Sequence, residues 1–355
     1  MRLTGAIRAA AAGVLSVLAL SAGAAFGSTR PASSSSMPYV VIKYSCPCSS
    51  APPMAPETAA MYRLANEVSQ LTKGAVNIEV FPNSSLVPQA SEFEDVQKNV
   101  IQMNLSSGDE YQSEAPAGMI YQIPYLFTSY SQELKVFNSK YGQALVAMLD
   151  KKLGVHILGI QDLGARELDL NTTNHISTPA DMHGIKLRMP PGTYWTALGQ
   201  ALGGAVTPIA FDEIYLSLQT GVIQAQDNPL PTDIADKFYE VTKQIVLTNH
   251  VIEPIAPTIS DTAWNEMSPA EQNDLVKAVA QTDTWESEQV ANQQVKDIKF
   301  LKHAGLKVYS PDIPAFRAPA LKTFLCNGSY VNPLKQIPGL LNYALSVSGA
   351  KLPTC

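Results

Sequence analysis

Apolar and polar positions along this chain recur with two periods, and the alternation between them sets out its elements. Residues 39–46 (YVVIKYSC) are largely apolar and read as a buried first strand. Residues 56–74 (PETAAMYRLANEVSQLTKG) then place Met61, Leu64, Ala65, Val68 and Leu71 at helical spacing, with Pro56 to start the helix and Gly74 to stop it. Residues 75–82 (AVNIEVFP) alternate as a strand does. A helix over about 89–100 and a strand over 101–106 (IQMNLS) follow. Strand–helix–strand–helix–strand order predicts an α/β sheet with right-handed crossovers. The second half repeats this grammar, with strands over 154–161, 166–171 and 184–189, a short helix over 193–203, an extended segment at 205–209, a helix over 211–220 and a strand-like VIQAQ at 222–226. No internal repeat at a fixed period is visible.

One helical pattern is much longer than the rest. Ser268-Pro269-Ala270-Glu271 is a capping box with proline at the first helical position, and the pattern runs to about His303 before Gly305. At 1.5 Å per residue, roughly 35 residues make ~50 Å, more than one ordinary domain measures across. Unless the pattern conceals two shorter helices, this helix spans two lobes.

The chain has 355 residues, of which 46% are hydrophobic and 16% charged, with a net charge of −6. That length suggests about two domains at roughly 150 residues each. The hydrophobic share excludes a disordered chain. The negative charge gives no basic surface to follow a phosphate backbone, so a nucleic-acid partner is not expected. A single uncharged apolar stretch approaches spanning length, which excludes a polytopic membrane protein. It lies at the start: Arg2 and Arg8 precede the uncharged residues 9–27, which end in small residues at Ala22-Gly23-Ala24 or Ala25-Phe26-Gly27. Residues 1–27 therefore read as a secretory signal peptide, and 28–37 (STRPASSSSM) as a flexible leader. The mature protein is expected in the periplasm, without stable membrane insertion, as a monomer.

Export permits disulfides. Cys46, Cys48, Cys326 and Cys355 allow three connectivities, among which the sequence does not choose. A direct Cys46–Cys48 bridge is expected to be strained, and Cys326–Cys355, closing the tail, is the favoured pair. A metal site on Cys46 and Cys48 lacks two further ligands. The histidines show no metal spacing, and no nucleophile elbow, Walker or dinucleotide glycine pattern occurs. No catalytic residue, metal or cofactor is assigned.

The informative side chains are two arginines and an amide. Arg188 ends an apolar strand just before Pro190-Pro191, and α/β sheets bind ligands beyond the carboxyl ends of their strands. A guanidinium there can grip a carboxylate through two parallel hydrogen bonds. Arg166 begins another strand, and Asn228 follows a third, before Pro229. Each arginine could equally serve a surface salt bridge.

The run from Pro179 to Pro229 resembles the solute-binding proteins of tripartite ATP-independent periplasmic (TRAP) transporters, the DctP-type family. The matching elements are a strand ending in Arg-x-Pro, an ALG segment, TP-x-AF, E-x-Y-x-x-LQTG and acid-Asn-Pro; IPYLF at 123–127 and KFYEV at 237–241 extend the likeness from about Tyr39 to Phe324. The resemblance implies a two-lobe α/β periplasmic-binding-protein fold of type II-like form, with mixed sheets flanked by helices and a long helix through both lobes. On this reading lobe I covers 38–163 plus about 254–290, lobe II covers 164–253 plus about 291–325, and 326–355 is a C-terminal tail. It implies binding of an organic acid by cleft closure and its delivery to small and large membrane permease subunits. Arg188 matches the arginine that binds the ligand carboxylate, Arg166 a second arginine, Asn228 the Asn-Pro amide and Phe211 the aromatic against the ligand. Ser106 and Ser107 fall where the ligand's far end is selected, and the neutral Ser107 weighs against a sialic-acid-type ligand. Trp195 lies close to these motifs and could stack on a planar ligand or pack in the core. Gln224 and Ala225 depart from the Asp-Gly common before this element. A sensor presenting the acid to a membrane receptor is the alternative use of the same fold, and a secreted enzyme a more remote one.

Overall fold

The computed structural model describes residues 39–355, so the expected signal peptide and leader lie outside the described residues. The strands are β1 (Val40–Ser45), β2 (Val76–Phe81), β3 (Met103–Ser106), β4 (Val155–Ile157), β5 (Gln161–Leu170), β6 (Lys186–Met189), β7 (Ala205–Pro208), β8 (Ala225–Pro229), β9 (Gln244–Val246), β10 (Ile252–Ser260) and β11 (Lys307–Tyr309). The helices are α1 (Pro56–Leu71), α2 (Glu92–Gln97), α3 (Tyr130–Phe137), α4 (Lys140–Leu153), α5 (Thr193–Ala201), α6 (Ile214–Thr220), α7 (Leu230–Ala235), α8 (Asp261–Glu266), α9 (Pro269–His303), α10 (Ile313–Leu325), α11 (Gly328–Leu334) and α12 (Leu340–Ser348).

The strands run in the order β2-β1-β3-β10-β5-β8-β6-β7, with β4 added on β10 and the β9–β11 pair on β5. β1 lies parallel to β2 and β3, and β6 parallel to β7 and β8, as crossover helices require. The two long strands β5 and β10 run antiparallel to their neighbours and carry the chain from one lobe into the other. β10 first pairs with β5, then continues beside β3 and β4. β5 pairs with β10 over its first half and with β8 and β9 over its second. This is the mixed-sheet, two-lobe α/β architecture.

Three expected elements shift. The strand expected over 154–161 ends at Ile157, and at Gly159 the chain runs so close to α9 that a Cβ there would sit 2.2 Å from Asp283 Oδ2. β5 then starts at Gln161 and absorbs the alternating segment at 166–171. β8 begins three residues later than VIQAQ and ends at Pro229, so Asn228 lies inside the strand. β10 escapes a sequence reading because it holds two prolines, Pro254 and Pro257, which cannot donate to a ladder. The chain absorbs Pro254 at a register shift between Ile252 and Pro254.

α9 is one unbroken helix of 35 residues. Ser268 Oγ accepts from the Glu271 N–H, and the Ser268 N–H donates to Glu271 Oε2 at 2.7 Å, satisfying two of the donors that a helix start leaves open. Its first turns bury Leu275, Ala278 and Val279 against the β1–α1 core, while Leu301 packs with Leu230, Ile234 and Ile245 of the other lobe.

The residues after Phe324 fold onto the body. Phe324 packs against Tyr194 at 5.1 Å and Tyr330 at 4.6 Å, and Tyr330, Leu334, Leu340 and Ala344 join the core around Phe127 and Leu145. Cys326 and Cys355 are bridged, with Cα atoms 5.5 Å apart. Cys46 and Cys48 are also joined, their Cα atoms 5.3 Å apart. Among the described residues no helix is long and apolar enough to cross a membrane.

Candidate functional site

A cavity of about 500 Å³ opens where several strands end together. Residues just past β1 (Cys46, Cys48), β3 (Ser107, Asp109, Glu110), β6 (Pro190, Pro191) and β7 (Ala210, Phe211) line it, with Arg188 and Asn228 from the last residues of β6 and β8. Arg166, from the middle of β5, and Glu253, near the start of β10, also line it. Strand carboxyl ends make such sites because the chain must turn there, leaving a crevice between the departing loops.

β6 places Arg188 by alternation. Leu187 and Met189 pack into the core while the arginine projects the other way, and Pro190-Pro191 ends the strand by withholding N–H donors. Gly192, at φ 134°, then turns the chain into α5, in a backbone region that side-chain-bearing residues avoid. Arg188 is 1% exposed. Its Nε donates to the Ile209 carbonyl at 2.9 Å, whereas its buried Nη2 has no hydrogen-bond partner. Burial pushes its pKa down to about 9, with the Asp227 charge opposing and that of Arg166 assisting. The protein therefore keeps a charged guanidinium there at a cost, with one edge free.

Arg166 is differently placed. Its Nε donates to Asp227 Oδ2 and its Nη2 to the Asp227 carbonyl, both at 2.7 Å, while Nη1 lies 3.7 Å from Glu253 Oε2. The indole of Trp195 covers it at 4.5 Å. Burial alone would lower its pKa, but the charges of Asp227 and Glu253 outweigh that and raise it. Burial would likewise raise Asp227, yet Arg166 and His250 hold it well below the usual carboxylate range. His250 Nε2 lies 3.1 Å from the same Asp227 oxygen and its Nδ1 2.8 Å from Thr248 Oγ1. Burial lowers the His250 pKa, so a neutral ring donating through Nε2 and accepting at Nδ1 satisfies both contacts.

The remaining expected residues divide. Asn228 lines the cavity and donates one amide hydrogen to Gln226 Oε1 at 2.6 Å, leaving the other hydrogen and Oδ1 for a solute. Phe211 lines it, half-buried, with its backbone N–H on Gln89 Oε1 at 3.2 Å. Trp195 both lines it and donates from Nε1 to Asp109 Oδ2 at 2.8 Å. Ser107 lines it with its hydroxyl on Asp109 Oδ1 at 2.5 Å. Ser106 is the exception. It is fully buried on the opposite face of β3, with its hydroxyl 2.6 Å from Thr258 Oγ1, and does not reach the cavity.

Several lining residues had no sequence expectation. Asp109 and Glu110 follow β3, where the strand-end rule that marked Arg188 applied equally. Glu253 is a lone carboxylate in the apolar run VIEPIAP, which was its signal. Burial pushes it up to about 8, with Arg166 opposing. Glu57, at the start of α1, is pushed up to about 7 by burial and carried no signal. Among the described residues no group of three or more His, Cys, Asp or Glu could hold a metal ion.

A two-lobe α/β fold with a polar cavity at the strand ends and a half-unsatisfied guanidinium in its wall defines a solute-binding protein. The chain belongs to the DctP family, bacterial extracellular solute-binding protein family 7, whose pattern it matches over residues 48–323. It is 30% identical over 270 residues to a solute-binding protein of Roseobacter denitrificans, covering 76% of this chain and 82% of the relative. A TRAP periplasmic solute-binding protein from the same species, solved with bound 3-deoxy-D-manno-oct-2-ulosonic acid, is similar with a TM-score of 0.81 and 30% identity, covering 87% of this chain and 99% of that one. The first relative itself, solved with bound L-galactonate, gives a TM-score of 0.78 and 28% identity over 86% of this chain and 99% of its own.

Proposed function

We propose that this protein is the extracytoplasmic subunit of a TRAP transporter that takes the carboxylate of an organic acid on Arg188 and hands the solute to a membrane permease. The observation that carries the reading is Arg188 itself, a buried guanidinium edge with no partner facing a solute-sized cavity. Both ligands named for the similar structures have one carboxylate and several hydroxyls, which fits an arginine beside Asn228 and acid side chains. Arg166, fixed by Asp227, holds Trp195 in the wall and contributes positive field. Phe211 supplies an apolar face.

Contacts already link the two sides of the cleft. The Trp195 indole reaches Asp109, Thr193 Oγ1 reaches Gln112 Oε1 at 3.3 Å, and Phe211 N reaches Gln89. A solute touching both sides shifts the population toward this closed arrangement, which excludes water and strengthens its ion pair. We take the lobes to divide at about 163/164 and 253/254, within two residues of where β5 and β10 change pairing partner, with 1–27 as export signal.

A thermal-shift screen of hydroxylated organic acids tests the assignment. A bound solute at 100 times its Kd adds ~2.7 kcal/mol, several degrees in a chain of this size. At least one acid should raise the midpoint of the wild type and leave Arg188→Met unmoved. No shift with any acid, or equal shifts in both proteins, sinks the assignment.

A further inference from the structure

Asn228 does not stand alone in the cavity wall. Gln226 and Asn228 are two apart on β8, so their side chains leave the strand on the same face. Asn228 donates from Nδ2 to Gln226 Oε1 at 2.6 Å. Gln226 in turn donates from Nε2 to Asp233 Oδ1 at 2.7 Å and to Asp169 Oδ2 at 3.4 Å. The pairing of β5 with β8 sets Asp169 opposite Gln226, and α7 brings Asp233 back from the residues just after the strand. Gln226, Asp169 and Asp233 are fully buried and none of them lines the cavity, whereas Asn228 does.

We propose that Gln226 is a positioning residue for the solute site: Asp233 and Asp169 hold its nitrogen, and its oxygen then holds the Asn228 amide with the nitrogen inward and Oδ1 toward the solute. This rests on the solute-binding reading above. The two ends of an amide are alike in size, so their partners decide which way it faces. Turning Gln226 over would set its oxygen against the carboxyl oxygens of Asp169 and Asp233. Turning Asn228 over would set its oxygen against that of Gln226, and a buried acceptor left without a donor is costly. The lock does not depend on the charge of the two acids. Burial raises the pKa of both, and the Asp169 charge adds to the rise at Asp233. A proton on either has a free place, Asp169 Oδ1 or Asp233 Oδ2, neither of which has a partner, so the oxygen beside Gln226 goes on accepting. Every donor in the series points from the cavity toward the acids, and hydrogen bonds in such a series strengthen one another. Asn228 Oδ1 is thereby a stronger acceptor at the end that meets the solute.

Calorimetry on the mature protein reads the lock with L-galactonate and 3-deoxy-D-manno-oct-2-ulosonic acid, the ligands of the similar structures. Gln226→Met fills similar space but gives Asn228 nothing to donate to, so the Asn228 nitrogen turns out to the cavity. The oxygen-outward form becomes the minor one, and affinity should fall about tenfold with its population. Gln226→Glu keeps an oxygen for Asn228 and should bind within about threefold of the wild type. A third carboxyl beside Asp169 and Asp233 should nevertheless lower its urea midpoint more than methionine does. Binding and stability thus rank the two variants in opposite order, which a residue that only fills space cannot do. NMR of the Asn228 side-chain amide reads the lock without a solute: its inward hydrogen should exchange slowly with water in the wild type and in Gln226→Glu, and quickly in Gln226→Met. Fast exchange in the wild type overturns the proposal even should neither variant fold, and so does Gln226→Met binding within about threefold of the wild type. If neither acid binds the wild type while the amide exchanges as stated, the carboxylate reading is what fails and the lock stands.

Discussion

Arg188→Ala should lower affinity for the transported acid roughly 30- to 3000-fold, since truncating one partner of a desolvated, hydrogen-bonded charge pair costs ~2–5 kcal/mol at ~1.4 kcal/mol per decade. The same substitution family should do little harm to the empty protein. Arg188 is 1% exposed, it makes one hydrogen bond to the Ile209 carbonyl, and burial pulls its pKa down to about 9. Its charge is therefore a burden until a carboxylate arrives. Replacing it with methionine, which fills similar space without a charge, should leave unfolding stability unchanged or raised while binding is lost, the exchange expected of a residue kept for function. Calorimetry with the identified acid and urea unfolding of the apo protein read the two halves. A change in affinity under threefold removes Arg188 from the role given to it.

Asp227→Ala should be the most damaging change for the fold. It leaves the Arg166 guanidinium, 4% exposed, with the residue-227 backbone carbonyl and the longer Glu253 contact but no close carboxylate, and removes the Nε2 partner of His250. Removing one member of a buried pair typically costs ~3–5 kcal/mol, here read as a fall in urea midpoint. The variant should also respond differently to acid. The folded pKa of Asp227 lies below its unfolded value of ~3.9, so its contribution is full above that value and is lost as pH falls through the folded one. The wild type should therefore lose this contribution below pH ~4, and the variant, lacking it throughout, should show a shallower acid limb. Asp227→Asn, which keeps an oxygen near Arg166, should cost less. A loss below ~1 kcal/mol for the alanine variant would mean that Glu253 alone balances Arg166.

How much of this was legible varies with the physics of each element. The β1–α1–β2 start and the long α9 declare themselves, because strong periodicity and a capping box coincide there. Lobe-crossing β10 does not, since Pro254 and Pro257 mark it as irregular and only tertiary pairing makes it a strand. The last helices hide for a related reason: Pro319 and Pro333 interrupt α10 and α11, and packing on Tyr194 and Phe127 holds them regardless. At the site, position at a strand end found Arg188, and resemblance added Phe211 and Ser107. Alternation could have separated Ser106, the last residue of β3, from Ser107 just past it, because successive side chains of an extended chain face opposite ways. Asp227 stood beside Asn228 in the same motif, but its pairing with Arg166 comes from β5 and β8 lying side by side, which no local pattern records. The carboxyl groups lining the cavity were least accessible, for Glu57, Glu110 and Glu253 converge from three distant parts of the chain.

The most direct test of the central claim is a crystal structure of the mature protein with an acid drawn from the thermal-shift screen. The acid should lie inside the cavity with one carboxylate oxygen within ~3 Å of Arg188 Nη2. A carboxylate held elsewhere, with Arg188 Nη2 still lacking a partner, would contradict it.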